Sequence, residues 1–176
     1  LIDTFGNQCK PEQVNSDGNT VLILACVKGL ENVAIKLIDT FCNKCNPEQV
    51  NKFGNTALMI ACDRKFESVA IKLIDTFGNK CKPEEVDING NTALMLACYN
   101  KSENVALKLI DTFCAKCKPN HVNNDGYIAL YYAKENDMKL TINKLSDRYI
   151  TIKTIKKPKN IKIINNIDNI IQNKIL

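Results

Sequence analysis

The sequence predicts an all-α solenoid of helix-turn-helix repeats, closed by a C-terminal capping repeat and followed by an Ile/Lys/Asn-rich tail. Three observations predict it. Leu-Ile-Asp-Thr-Phe begins at Leu1, Leu37, Leu73 and Leu109, a constant interval of 36 residues without insertion, and self-similarity at that length marks a stacked array. Each interval holds two short apolar patterns with helical spacing, too small to bury a core alone, so neighbours must share one. Finally, charge divides the chain near residue 150. Residues 1–150 hold 18 Lys/Arg and 18 Asp/Glu, while 151–176 hold six Lys and one Asp, which puts the whole net charge of +5 in the tail. The expected organisation is therefore an array over 1–150 (a partial first unit, three full repeats and a degenerate fourth) and a basic tail or capping helix over 151–176.

The elements follow in order. Residues 1–5 read as the end of a second helix, and the chain opens on Leu1 rather than Met, so a longer parent protein with a preceding repeat or cap is expected. Thr20, Thr56 and Thr92 follow Gly-Asn and precede apolar runs, an N-cap signal for the first helix of each pair. That helix places Leu22, Ala25 and Cys26 on one side, then Leu58, Ala61 and Cys62, then Leu94, Ala97 and Cys98, and the small Ala and Cys permit close helix approach. The second helix begins near Glu31, Glu67 and Glu103, where a carboxylate suits the positive end of the helix dipole. Val33, Ala34, Leu37, Ile38 and Phe41 form its apolar face, repeated 36 and 72 residues later, and Ile35, Ile71 and Leu107 widen it, as a helix between two neighbours requires.

A connection follows, in which Pro11, Pro47, Pro83 and Pro119 suit the first position of a one-turn helix. It leads to a polar turn ending on Gly18, Gly54, Gly90 or Gly126, the residue type that tolerates positive φ. The fourth copy keeps Leu130 and Ala133 but loses the Thr and Cys, and Lys134, Asn143 and Ser146 put polar groups at formerly apolar positions. A terminal repeat with one face in water should read this way. In the tail, Ile163, Ile164, Ile167, Ile170, Ile171 and Ile175 have helical spacing, read here as a final covering helix or an unstructured tail, with a partner-docking helix as the alternative.

Gly-Asn-Thr-Ala-Leu-Met-Leu-Ala-Cys at 90–98 resembles the Gly-x-Thr-Pro-Leu-His-x-Ala-Ala signature of ankyrin repeats, and Leu-Ile at 37–38, 73–74 and 109–110 resembles the Leu-Leu of that family's second helix. The resemblance covers about 1–150 and implies a divergent, ankyrin-type solenoid that binds proteins through its turn tips and concave face. Four departures stand out. The period is 36 rather than about 33 residues. The family Pro is replaced by Val21, Ala57, Ala93 or Ala129. The family His is replaced by Ile23, Met59, Met95 or Tyr131, which removes a polar link and predicts more loosely held turns. The Gly ending the first helix survives only as Gly29, with Lys65 and Lys101 in its place.

The chemistry-bearing residues point away from catalysis. Cys42-Asn-Lys-Cys45 and Cys114-Ala-Lys-Cys117 have zinc-like spacing, but they are two repeats apart, on the order of 20 Å at helix-stacking distance, too far to share one metal. A local disulfide within one motif stays open. Cys26, Cys62 and Cys98 read as small buried apolar residues, and the cysteine usage fits a reducing compartment. His121 is the only histidine and sits in a connection. The Asp of each Leu-Ile-Asp-Thr-Phe reads as a solvated ladder. There is no Gly-rich phosphate loop, and no apolar run is long enough to span a bilayer. No enzyme activity, metal, cofactor or small-molecule substrate is expected. The expected setting is cytoplasmic, or host cytosol if the source is a virus or intracellular microbe.

The copies act as their own comparison for a partner surface. Framework positions barely change, whereas the tips and the ends of the first helices do. The candidate partner-binding residues are accordingly Ser16, Asp17, Val27, Lys28, Lys52, Phe53, Asp63, Arg64, Ile88, Asn89, Tyr99 and Asn100. Phe53, Ile88 and Tyr99 are apolar at sites expected to be exposed, with Arg64 beside them, and aromatic and Arg side chains tend to dominate binding energy. The reading is a monomeric protein-interaction scaffold. An adaptor recruiting machinery through the tail is the alternative. A tail that binds nucleic acid or membrane through Lys153, Lys156, Lys157, Lys159 and Lys162 is a lesser one.

Overall fold

A computed structural model of the chain describes residues 10–153, with side chains described over 10–147. Residues 1–9 and the tail beyond Lys153, with its isoleucine pattern, lie outside the described residues. Eight α-helices occur among the described residues, and no strand: α1 (Val21–Val27), α2 (Glu31–Phe41), α3 (Ala57–Asp63), α4 (Glu67–Phe77), α5 (Ala93–Tyr99), α6 (Glu103–Phe113), α7 (Ala129–Glu135) and α8 (Lys139–Lys153). The last helix runs past residue 150, so the change in composition does not coincide with an element boundary.

Each odd-numbered helix pairs with the even-numbered helix after it. The pairs stack so that α1, α3, α5 and α7 form one row and α2, α4, α6 and α8 a second. The shared core lies between the rows. Leu58, Met59, Leu94 and Met95 reach it from the first row and Leu73, Ile74, Leu109 and Ile110 from the second, all essentially inaccessible to water. Each such side chain contributes roughly 1.5–3 kcal/mol of burial. The interior helices are the most enclosed. Every residue from Ala57 to Cys62 is buried, and every residue from Ala93 to Cys98. Val33 in the first described pair is 37% exposed, whereas Val69 and Val105 at the same position are fully buried. In the last pair Ser146 is half-buried where Ile110 is fully buried, and Asn143 is exposed.

Local chemistry sets the helix ends. Thr20, Thr56 and Thr92 cap α1, α3 and α5, each hydroxyl accepting from the backbone N–H three residues on, at 3.2–3.3 Å. In α7 Ile128 holds that place and provides no side-chain cap. The first helices end in a Schellman arrangement, Leu30 N–H donating to Ala25 O at 2.9 Å and Gly29 N–H to Cys26 O at 3.2 Å. The same pair of bonds recurs at Lys65 and Lys101, which adopt φ of 61°. Replacing Gly by Lys therefore leaves the turn geometry unchanged and moves the cost into the backbone.

Two expectations are corrected here. Pro47, Pro83 and Pro119 do not open one-turn helices. The helical turn lies before them, as 3-10 helices at Cys42–Cys45, Gly78–Cys81 and Cys114–Cys117. Each ends on a left-handed residue, Asn46, Lys82 or Lys118, whose carbonyl accepts from the residue three further on, so the proline takes the second position of a β-turn. A left-handed residue stops the helix, and proline then fixes φ for the turn.

The recurring Asp is also more than a solvated ladder. Asp39 pairs with Lys72 at 2.6 Å and Asp75 with Lys108 at 2.5 Å, and Asp111 pairs with Lys144. Each pair links a second helix to its successor. The 36-residue period minus the three-position offset from Lys to Asp in Lys-Leu-Ile-Asp brings the two charges into register.

Candidate functional site

One edge of the stack is built from turn tips. In each tip an Asx side chain folds the loop around itself. Asn51 Oδ1 accepts from Phe53 N–H at 3.0 Å and Asn55 N–H at 2.9 Å, and Asp87 Oδ1 accepts from Asn89 N–H at 2.9 Å and Asn91 N–H at 2.7 Å. Successive tips then bond edge to edge. Lys52 N–H donates to Asp17 O at 2.9 Å, Ile88 N–H to Phe53 O at 3.1 Å and Asn124 N–H to Asn89 O at 3.0 Å. Side chains add to this, with Asn51 Nδ2 donating to Asn19 Oδ1 and Asn123 Nδ2 to Asn91 Oδ1, both at 2.8 Å. The expectation of loosely held turns is thus overturned: backbone and amide bonds supply the polar link between tips without the family histidine. Gly54 makes the close approach possible, because a Cβ there would lie 2.5 Å from Val86 O.

The tips and the outward side of the first-row helices enclose an open groove of about 900 Å³. Its floor is Leu24, Ile60, Leu96 and Tyr132, one residue per repeat. Of the candidate partner-binding residues, Asp17, Val27, Lys28, Phe53, Asp63, Arg64, Ile88, Asn89 and Tyr99 line it together. Ser16, Lys52 and Asn100 are not part of that lining. Ser16 and Lys52 are exposed on the tips, and Asn100 is half-buried and donates its amide to Leu96 O at 3.1 Å, closing the end of α5. Phe53 is 48% exposed, Ile88 64% and Tyr99 61%.

Sequence reasoning missed a tyrosine cluster at the far end of the groove. Tyr127, Tyr131 and Tyr132 read as decay of the last repeat, yet they join Tyr99. Tyr127 and Tyr131 stack with centroids 4.2 Å apart, and Tyr99 meets Tyr132 edge to face at 5.5 Å. The Tyr132 hydroxyl accepts from Asn123 Nδ2 at 3.0 Å. The spacing i, i+4, i+5 of those three tyrosines, on one side of a helix start, was the available signal. Also missed was Asn136, whose amide donates to Cys98 O at 2.9 Å and Tyr99 O at 3.0 Å and so closes the preceding helix from the next repeat.

The buried thiols are packing groups. Cys26, Cys45, Cys62, Cys81, Cys98 and Cys117 are buried, and Cys42 and Cys114 are exposed. Cys45 and Cys81 each donate a thiol hydrogen bond to a carbonyl of the preceding second helix, Leu37 O and Leu73 O, at 3.1 Å. Burial pushes the Cys81 thiol up to about 12, and burial with the nearby Glu31 charge does the same at Cys26. Cys62 and Cys98 are raised further by burial first and by neighbouring groups second. A thiol held protonated is neither a nucleophile nor a metal ligand. Among the described residues no three His, Cys, Asp or Glu side chains converge on a metal position, and no helix is long and apolar enough to cross a membrane.

Compared with curated proteins, the chain finds no match. The family model described as ankyrin repeats (3 copies) matches residues 1–82 and again 69–154. Ankyrin repeats are non-catalytic modules that generally mediate protein–protein interactions, and the helix pairs, bonded tips and open groove have that architecture. With two overlapping matches across all four described helix pairs, the chain belongs to the ankyrin repeat family.

Proposed function

We propose that the chain is a non-enzymatic scaffold that binds another protein along the concave groove and the turn tips. The observation that carries this reading is the gathering of Phe53, Ile88 and Tyr99, each about half exposed or more, on one groove that Arg64 also lines. Large apolar side chains cost free energy when left in water, about 25 cal/mol per Å² of apolar surface. Grouped exposed patches of this kind mark interaction sites. The framework positions offer a contrast within the same helices, since they are buried and cannot reach a partner.

The test is to recover a partner from an extract of the source cell, purify it, and titrate it against wild type and a Phe53→Ala/Arg64→Ala/Tyr99→Ala variant. Loss of at least about tenfold in affinity is expected from removing such anchors, with the helical circular dichroism unchanged because all three side chains are exposed. Wild-type affinity in the triple variant would exclude this surface.

A further inference from the structure

The last repeat departs from the others on the groove side in one chemical direction. The positions of Asn91, Met95 and Leu96 become Tyr127, Tyr131 and Tyr132 one period later. Tyr131 meets Tyr132 at 5.5 Å, so with the contacts above the four rings form one continuous cluster. Tyr127 and Tyr131 are still 37% and 38% exposed and Tyr99 more so, while Tyr132 is half-buried.

Carboxylates lie in the repeats on either side of Tyr99. Val27, Asp63, Tyr99 and Glu135 are the last residues of the four first-row helices. An acidic side chain therefore sits on each side of Tyr99, roughly 10 Å away at helix-stacking distance. Asp125 also lines the groove, as does Asp87, whose two carboxylate oxygens accept from Asn89 N–H, Asn91 N–H and the Asn91 amide within its own tip. The only cations in the groove lining, Lys28 and Arg64, belong to the first and second repeats. The charges are felt at the rings: Glu135 is the main cause that raises the Tyr131 hydroxyl pKa, whereas that of Tyr132 is raised chiefly by burial, against the Asn123 hydrogen bond that lowers it, with Asp125 a smaller raising contribution. Aromatic faces carry negative potential, and so do the carboxylates, so both favour a cation at this end.

We propose that the cluster of Tyr99, Tyr127, Tyr131 and Tyr132 is a cation-binding subsite that takes a lysine or arginine side chain of the partner protein. The proposal rests on the groove being a protein-binding surface and adds the chemistry of the segment that reaches its far end: basic, with a side chain long enough to lie across a tyrosine face.

The full chain is titrated by fluorescence anisotropy with short labelled Gly/Ser peptides carrying several lysines, arginines or glutamates. Saturable binding is expected for the two basic peptides and none for the acidic one. Tyr99→Ala weakens the basic peptides about tenfold. Tyr99→Phe leaves binding near wild type, since the ring face and not the hydroxyl attracts the cation, and Glu135→Gln weakens it several-fold. Absence of saturable binding by both basic peptides overturns the proposal, as does equal affinity in Tyr99→Ala. Binding that emerges only after Lys156, Lys157, Lys159 and Lys162 are replaced by Gln assigns the subsite to the chain's own lysines and overturns the partner assignment. The two readings fail separately. A partner lost by the triple variant while basic peptides ignore Tyr99 leaves the groove standing without the subsite. Tyr99-dependent peptide binding beside an unaffected partner does the reverse.

Discussion

At the residue scale the repeat shows which positions tolerate change and at what cost. Cys42 adopts φ 45° and ψ −125°, and Gly78 one repeat later adopts nearly the same angles, 52° and −129°. Only glycine visits that region freely, and a side chain held there costs on the order of 1–3 kcal/mol. Glycine gives back roughly 0.5–1 kcal/mol through the entropy of the unfolded chain. Cys42→Gly should therefore stabilise the protein by about 1 kcal/mol, read as a rise in the urea midpoint with an unchanged slope; a fall would mean that the Cys42 side chain makes a contact that outweighs the strain. The threonine caps were legible because hydroxyl, spacing and apolar run occur together in the sequence. The tyrosine cluster was legible only in part: the spacing of Tyr127, Tyr131 and Tyr132 was there to read, although each looks like a lost framework residue when read alone, whereas their contact with Tyr99 crosses a repeat boundary.

At the element scale, helix pairs are held by their shared core far more than by the charges along the second row. Leu73 in α4 is fully buried between neighbouring helices, whereas Lys108 and Asp75 are 38% and 53% exposed. A large-to-small change in such a core costs about 2–5 kcal/mol, and an exposed ion pair contributes about 0.2–1 kcal/mol that salt reduces further. Leu73→Ala should cost several kcal/mol, and Asp75→Ala less than about 1 kcal/mol with the loss shrinking in high salt, both by chemical denaturation. A salt-independent loss at Asp75 comparable to that at Leu73 would show that the ladder, not the core, holds the pairs in register. The apolar faces of both helices were readable from 3.6-residue spacing. The ion-pair ladder was not, since Asp39 and Lys72 are 33 positions apart in the chain and only stacking makes them neighbours.

At the scale of the whole molecule, the buried thiols form a pH-dependent part of the common core. Cys26, Cys45 and Cys81 are raised to about 12, chiefly by burial, and Cys62 and Cys98 higher. An unfolded thiol ionises near about 8.5. Above that pH the unfolded chain sheds protons that the folded chain keeps, so stability is complete below it and falls as pH climbs toward the folded values. Each such thiol adds up to about 1.4 kcal/mol of loss per pH unit. The urea midpoint, measured with reductant present, should drop between pH 7.5 and pH 10, and Cys62→Ala should lower stability at neutral pH while flattening that drop; a midpoint unchanged at pH 10 would contradict burial of the thiols. The sequence by itself determined the period, the two helices of each unit, their buried faces and the residues that vary between copies, because local spacing and self-similarity are properties of the chain alone. Only the tertiary structure decided that the tips bond edge to edge without the family histidine. It likewise decided that Asp and Lys of successive units pair, and that four tyrosines from two repeats join beside carboxylates. Each of those depends on residues about one period apart meeting in space, and the distance across the stack is set by helix packing rather than by position in the chain.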